Sequence, residues 1–187
     1  KSWDFHVTDI IRTSLEENLN MIRDTIAFLK EKGKEVIFDA EHFFDGFMAN
    51  RDYALECLRA AADAGASCLV LCDTNGGMFP SDIYRIVKEV VEMFPFPIGI
   101  HCHNDGGMAV ANSIMAIEAG ACHVQGTING IGERSGNANL CTIIPNLQLK
   151  KGYSCVPKEQ MENLFVVSRT ISELANLVPN ERDPYVG

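Results

Sequence analysis

Several things that would quickly assign a sequence are missing from this one. It has no basic cluster: 16 Lys and Arg stand against 25 Asp and Glu, a net charge of −9. The acidic residues are spread along the chain and not blocked into a tail, which argues against a nucleic-acid partner. Such a surface also repels anions at long range. A site for an anionic substrate must therefore supply its own positive charge, and a metal ion is the simplest source. No CxxC pair occurs among the cysteines at Cys57, Cys68, Cys72, Cys102, Cys122, Cys141 and Cys155. Their count is odd, and the reading is reduced, buried thiols of a cytoplasmic protein. No apolar run approaches a membrane span and no secretory leader is visible. An initiator Met is absent too. Lys1-Ser2-Trp3-Asp4 reads as the middle of a domain, so the chain is expected to be cut from something longer.

What is present is a chain of 187 residues, 47% of them apolar, which fits one globular unit. Four short apolar runs recur: Glu35–Ala40 (EVIFDA), Cys68–Asp73 (CLVLCD), Pro97–His101 (PIGIH) and His123–Ile128 (HVQGTI). Each has the length of a strand and runs into polar, glycine-rich residues. Helical patterns lie between them. Ser14-Leu15-Glu16-Glu17 is a capping box, followed by a stripe of Leu15, Leu19, Ile22, Ile26 and Leu29 that Gly33 stops. A second helix opens at Asn50, carries Ala54, Leu58, Ala61 and Ala62, and ends at Gly65. A third opens at Ser81 with Ile83, Ile86, Val87, Val90 and Val91 inward, and a fourth runs through Val110, Ile114 and Ile117 to Gly120. Two more stretches follow, Asn139–Lys150 and Lys158–Leu177. The latter shows Met161, Leu164, Ser168, Ile171, Ala175 and Val178 on one face.

Strand and helix alternate with about 25 to 33 residues per unit, which means right-handed βαβ units and a parallel sheet. Every strand ends in polar chemistry: Glu41-His42, Asp73-Thr74-Asn75-Gly76, His101 to Asp105, and Asn129-Gly130. A TIM barrel uses the carboxyl ends of all its strands, whereas an open doubly wound sheet uses mainly one switch point and usually a glycine-rich phosphate loop. With no GxGxxG or Walker pattern present, the fold class is α/β, part of a TIM (β/α)8 barrel followed by extra helices. The expected division is a partial barrel over 1–150 and a trailing helical segment over 151–187.

The sharpest local signal is His101-Cys102-His103. On a strand, residues i and i+2 share a face, so the two imidazoles project together while Cys102 turns away. Such a pair can hold one cation in cis. An isolated HxH is more simply two hydrogen-bonded histidines, but here it stands at a strand's carboxyl end and runs into Asn104-Asp105. The second signal, Asn129 to Ala138 (NGIGERSGNA), is a constrained polar loop whose glycines allow turns that other residues resist. By spacing alone it is equally well an ordinary βα loop.

HCHND followed after about 25 residues by NGIGERSGNANL resembles the DRE-TIM metallolyase superfamily. That superfamily includes the isopropylmalate, homocitrate and citramalate synthases, with 3-hydroxy-3-methylglutaryl-CoA lyase as a cousin. The stretches FDAEHFFDGF, LCDTNGG and QGTINGIGERSGNANLCTIIPNLQLKKGY look most like the citramalate synthase branch. The resemblance implies strands corresponding to five through eight of the barrel. It also implies His101, His103 and Asn137 as ligands of a divalent metal (Mg²⁺, Mn²⁺, Zn²⁺ or Co²⁺), Glu41 as the acidic residue assisting catalysis, and Thr74 as the group that binds the carboxylate of a 2-oxo acid. Glu133 and Arg134 would orient the ligand loop, with Asp73, Asn104 and Asp105 in supporting positions. The reaction implied is a Claisen condensation of acetyl-CoA with a 2-oxo acid by an acyltransferase of amino-acid (leucine or isoleucine) biosynthesis, in a cytoplasmic homo-oligomer, as a dimer. Pyruvate would give citramalate; a longer 2-oxo acid would give isopropylmalate or homocitrate. The same site run in reverse would cleave a 3-hydroxyacyl-CoA, and a half-barrel alone could bind metal yet turn nothing over. The family's metal-binding Asp on the first strand and its catalytic His beyond the barrel have no counterpart in this chain.

Overall fold

The computed structural model describes residues 1–187. Four strands, β1 (Ile37–Ala40), β2 (Cys68–Asp73), β3 (Ile98–Cys102) and β4 (His123–Gln125), make one parallel sheet in chain order. Ala40 lies opposite Leu71, Asp73 opposite Cys102 and His101 opposite Gln125. The order never reverses, so there is no switch point of the doubly wound kind. Successive units step the same way round and bring all four carboxyl ends to one rim, as in a barrel. The sheet also curls. In a flat sheet the edge strands β1 and β4 would stand about 14 Å apart, yet the Gln125 Nε2–H donates to Asp39 Oδ1 at 2.8 Å across the concave face.

Alternation along β2 separates two environments. Leu69 and Leu71 point into the main apolar core beneath the helices, while Cys68, Val70 and Cys72 form a small separate cluster on the concave face. Gly99 on β3 belongs to that face. A Cβ there would stand 2.9 Å from Val70 Cγ2 and 3.1 Å from His123 Cδ2, so glycine lets three strands close together. Ile37 on the same face is 41% exposed.

The helices follow their capping signals closely. α1 (Leu15–Glu31) starts with Ser14 Oγ accepting from Glu17 N–H at 3.1 Å, and Gly33 at φ +71° terminates it. Its buried stripe is Asn18, Ile22 and Ile26, whereas Leu29 is 36% exposed. Asn18 is tolerated inside because it donates to Tyr53 Oη at 2.7 Å and to Lys1 O at 2.8 Å. A short helix, α2 (Phe43–Ala49), was not expected from the FFDGF run. Its Phe43, Phe44 and Phe47 are buried, and a Cβ on Gly46 would collide with the Ser2 carbonyl. α3 (Arg51–Asp63) is capped by Asn50 as its sequence implies. α4 (Pro80–Met93) starts one residue earlier than expected, with Pro80 in the first turn where it lacks nothing the helix needs.

In α5 (Ala109–Glu118) the buried face is Ala109, Asn112, Ser113 and Ala116, while Val110, Ile114 and Ile117 are half-buried at its flanks. Small residues let this helix approach β3 closely, so the larger ones are turned sideways. α6 (Leu140–Pro145) continues in wider turns to Lys150, matching the expected span. α7 (Asn163–Leu174) is shorter than expected: Lys158–Gln160 is a separate 3₁₀ turn, Asn176 enters the left-handed region at φ 54°, and Val178 beyond it is 95% exposed. Before α1, His6–Ile11 forms a wide π-type turn that no pattern announced. The cysteines are all unpaired, and those at 57, 68, 72, 102 and 141 are buried. No helix is long and apolar enough to cross a membrane.

Candidate metal centre and active site

Polar side chains collect where the strands end. Cys102 is fully buried on the helix side of β3, and burial pushes its thiol far above the usual range. His101 and His103 lie on the other face, their ring centroids 5.2 Å apart at an interplanar angle of 37°. His103 then pairs with Asn137 in an antiparallel bridge. The loop after β4 is stitched on by backbone bonds from Asn104 N–H to Gly136 O (2.9 Å), Ala138 N–H to Cys102 O (3.0 Å) and Asn137 N–H to Gly130 O (2.9 Å). Glycine is required within this loop. Gly136 sits at φ +92° where a Cβ would strike the Gly130 carbonyl, and a Cβ on Gly132 would overlap the Asn137 amide nitrogen.

The three expected ligand residues are thus brought together. His103 Nδ1 and Asn137 Oδ1 are two of six buried side-chain atoms without a hydrogen-bond partner, a condition that folded proteins normally avoid. Burial, then the neighbouring His101 and Arg134, holds the His103 imidazole below its ordinary pKa and so in the neutral form that ligates metals. Two imidazoles and an amide oxygen are a donor set that a divalent cation accepts.

The other expected residues divide into two groups. Arg134 grips Asp105 in a fork, Nε to Oδ1 at 2.9 Å and Nη2 to Oδ2 at 3.0 Å, and Nη2 also donates to the Thr74 carbonyl at 2.6 Å. This clamp ties the loop after β4 to the ends of β2 and β3. Its hydrogen bond lowers the Asp105 carboxyl below its ordinary value. Thr74 Oγ1 accepts from the His42 N–H at 2.8 Å, with His42 in the left-handed region at φ 60°. The Thr74 hydroxyl proton is therefore left to donate elsewhere. Glu41 precedes His42, pairs with the Lys1 ammonium, and stands 3.8 Å from His42 Nε2. Burial works to raise its carboxyl, but Lys1 and His42 together hold it below the ordinary value.

None of these residues hydrogen-bonds through its side chain to His101, His103 or Asn137, and the remaining three stand outside the clamp. Asp73 is buried and accepts from the Gly77 and Met78 N–H groups, both at 3.2 Å, so it shapes the loop after β2. Burial nonetheless raises its carboxyl. Asn104 Oδ1 accepts from Ala109 N–H at 3.2 Å and starts α5. Glu133 is exposed, with only a 3.7 Å approach to Arg134.

Gln125 and Asp39 were not anticipated, and Asn129 only as the start of the polar loop. Gln125 Oε1 lies 2.8 Å from His101 Nδ1, and its Nε2 meets Asp39. Asn129, at φ 61°, donates to the Ser168 carbonyl at 2.8 Å and to Ser172 Oγ at 3.0 Å, and accepts from Ser168 Oγ at 2.7 Å, anchoring α7 beside the rim. Alternation placed Asp39 on the face of Glu41 and Gln125 on that of Thr127, but nothing local said that this face is concave.

The chain is 57% identical over its whole length to the (R)-citramalate synthase of Aquifex aeolicus and covers 36% of that protein. It is 40% identical to a homocitrate synthase of Methanopyrus kandleri over 93% of this chain and 43% of that protein. The crystal structure of the Bacillus subtilis HMG-CoA lyase superposes with a TM-score of 0.80 over 97% of this chain and 63% of that one, at 21% identity, a likeness of fold. The chain thus spans little more than a third of the length of the curated relatives it matches. The HMGL-like family matches residues 2–171, and the chain belongs to that family.

Proposed function

We propose that the complete polypeptide is an acyltransferase that condenses acetyl-CoA with pyruvate, water then hydrolysing the thioester to release CoA and (R)-citramalate, with a divalent cation held by His101, His103 and Asn137. The observation that carries the reading is the meeting of two same-face imidazoles with the unpartnered Asn137 oxygen at one rim, in a chain 57% identical to a citramalate synthase. When bound, the cation supplies Lewis acidity toward the ketone of the 2-oxo acid. Thr74, its oxygen already occupied by the His42 N–H, presents a hydroxyl proton to the substrate carboxylate. The Arg134 fork keeps the Asn137 loop registered against β2 and β3. The acetyl methyl must lose a proton to a positioned base. Glu41, held ionised by Lys1 and His42, takes that proton or orients the group that does.

The test is CoA-thiol release by the complete polypeptide with acetyl-CoA, Mn²⁺ and a panel of 2-oxo acids. Release strongest with pyruvate is expected. Release only with a longer 2-oxo acid would retain the condensation and replace the substrate. No release, with cleavage of a 3-hydroxyacyl-CoA in its place, would overturn the synthase reading in favour of a lyase.

A further inference from the structure

Gln125 bridges two side chains from different strands on the concave face: His101 of β3 through Nδ1 and Asp39 of β1, each at 2.8 Å. A carboxylate has no proton to give, so the amide group facing Asp39 is the NH₂ and the amide oxygen faces His101. That oxygen can only accept. His101 Nδ1 is therefore the protonated nitrogen, and in the neutral ring Nε2 keeps the lone pair.

We propose that Asp39 and Gln125 form a positioning relay that locks His101 in the Nδ1–H tautomer and so reserves Nε2 for the cation. The proposal rests on reading His101 as a metal ligand. Side chains of three strands distant in sequence line up as Asp39, Gln125 and His101, and these side-chain bonds are separate from the backbone ladder that holds the sheet. Asp39 acts at one remove, because an amide is nearly symmetric in shape and turns over unless a neighbour distinguishes its ends. With Asn at position 39, the Gln125 amide can present NH₂ to His101 Nδ1. The ring then carries its proton on Nε2, and the ligand position is closed.

The experiment uses the complete polypeptide, with Mn²⁺ as the probe for calorimetric binding and ¹⁵N–¹H spectra of histidine-labelled, metal-free protein to report the tautomer. Wild type is expected to bind Mn²⁺ and to show His101 protonated at Nδ1. Gln125→Met and Asp39→Asn should each weaken Mn²⁺ binding about ten- to a hundredfold, and Asp39→Asn should move His101 toward the Nε2–H form. Asp39→Asn combined with Gln125→Glu restores an acceptor at His101 and a donor at position 39, and should recover both affinity and tautomer. If both single variants bind as wild type does and keep the Nδ1–H signal, the relay is wrong and the metal site stands. A double variant as weak as the singles would reduce Gln125 to packing and equally overturn the relay. Failure of wild type to bind Mn²⁺ would count against the metal reading itself, leaving the tautomer spectra of wild type and Asp39→Asn to decide the relay.

Discussion

His103 is buried and Asn137 half-buried, and each holds a buried atom with no protein partner, 34 positions apart in sequence yet paired across a backbone bridge. If they are ligands, His103→Ala should abolish stoichiometric Mn²⁺ binding while leaving the circular-dichroism spectrum intact. Undiminished affinity in that variant would remove His103 from the site. Gly132→Ala tests the loop from the other direction. Its φ is not in the left-handed region, so the backbone tolerates a side chain, but the new methyl would overlap the Asn137 amide nitrogen. The expected result is weakened Mn²⁺ binding with little change in Tm. Gly136→Ala differs, because φ +92° and the Gly130 carbonyl both oppose it; a cost of about 1–3 kcal/mol is expected, read by denaturant unfolding. Same-face projection of His101 and His103 was legible in their i, i+2 spacing. Gln125 was not, since a glutamine in a short strand reads as solvent-facing until the curl of the sheet sets Asp39 opposite it.

Among the elements, backbone bonds hold the loop after β4 to the end of β3, and Arg134 adds the tie that reaches the end of β2. Arg134→Lys keeps the charge but loses the fork, and should speed hydrogen exchange of the 132–137 amides. The clamp has a defined pH window. Asp105 has a folded-state pKa below its unfolded value, so its contribution is complete above the unfolded value of about 3.9 and is lost as pH falls through the folded one. The Tm difference between wild type and Asp105→Asn should thus hold steady at neutral pH and close in acid as Asp105 takes up its proton; a difference that survives that protonation unchanged would show that the pair is not its source. Helix starts at Ser14 and Asn50 were legible because a capping side chain and the N–H groups it serves are neighbours in the chain. α2 was not, because burial of Phe43, Phe44 and Phe47 depends on the Ser2 segment that crosses Gly46. The exposure of Val178 follows from Asn176 ending α7 a turn early.

In the whole molecule, β1 and β4 are each paired on one side only, and the concave face leaves Ile37 at 41% exposure. Unpaired parallel edges beside apolar surface promote association. This 187-residue chain expressed alone should therefore self-associate on size-exclusion chromatography; a compact monomer would refute that. The four strands, the main helices between them and the shared face of the two histidines were determined by the sequence alone, because capping, strand alternation and glycine turns act over a few residues; α2 and the His6–Ile11 turn were not. Only the tertiary structure decided that Asp39 meets Gln125, that Arg134 reaches Thr74, and that Asn129 holds Ser168. Each of those contacts joins residues far apart in sequence, and each exists only because the packing of strands and helices brings those residues to one rim.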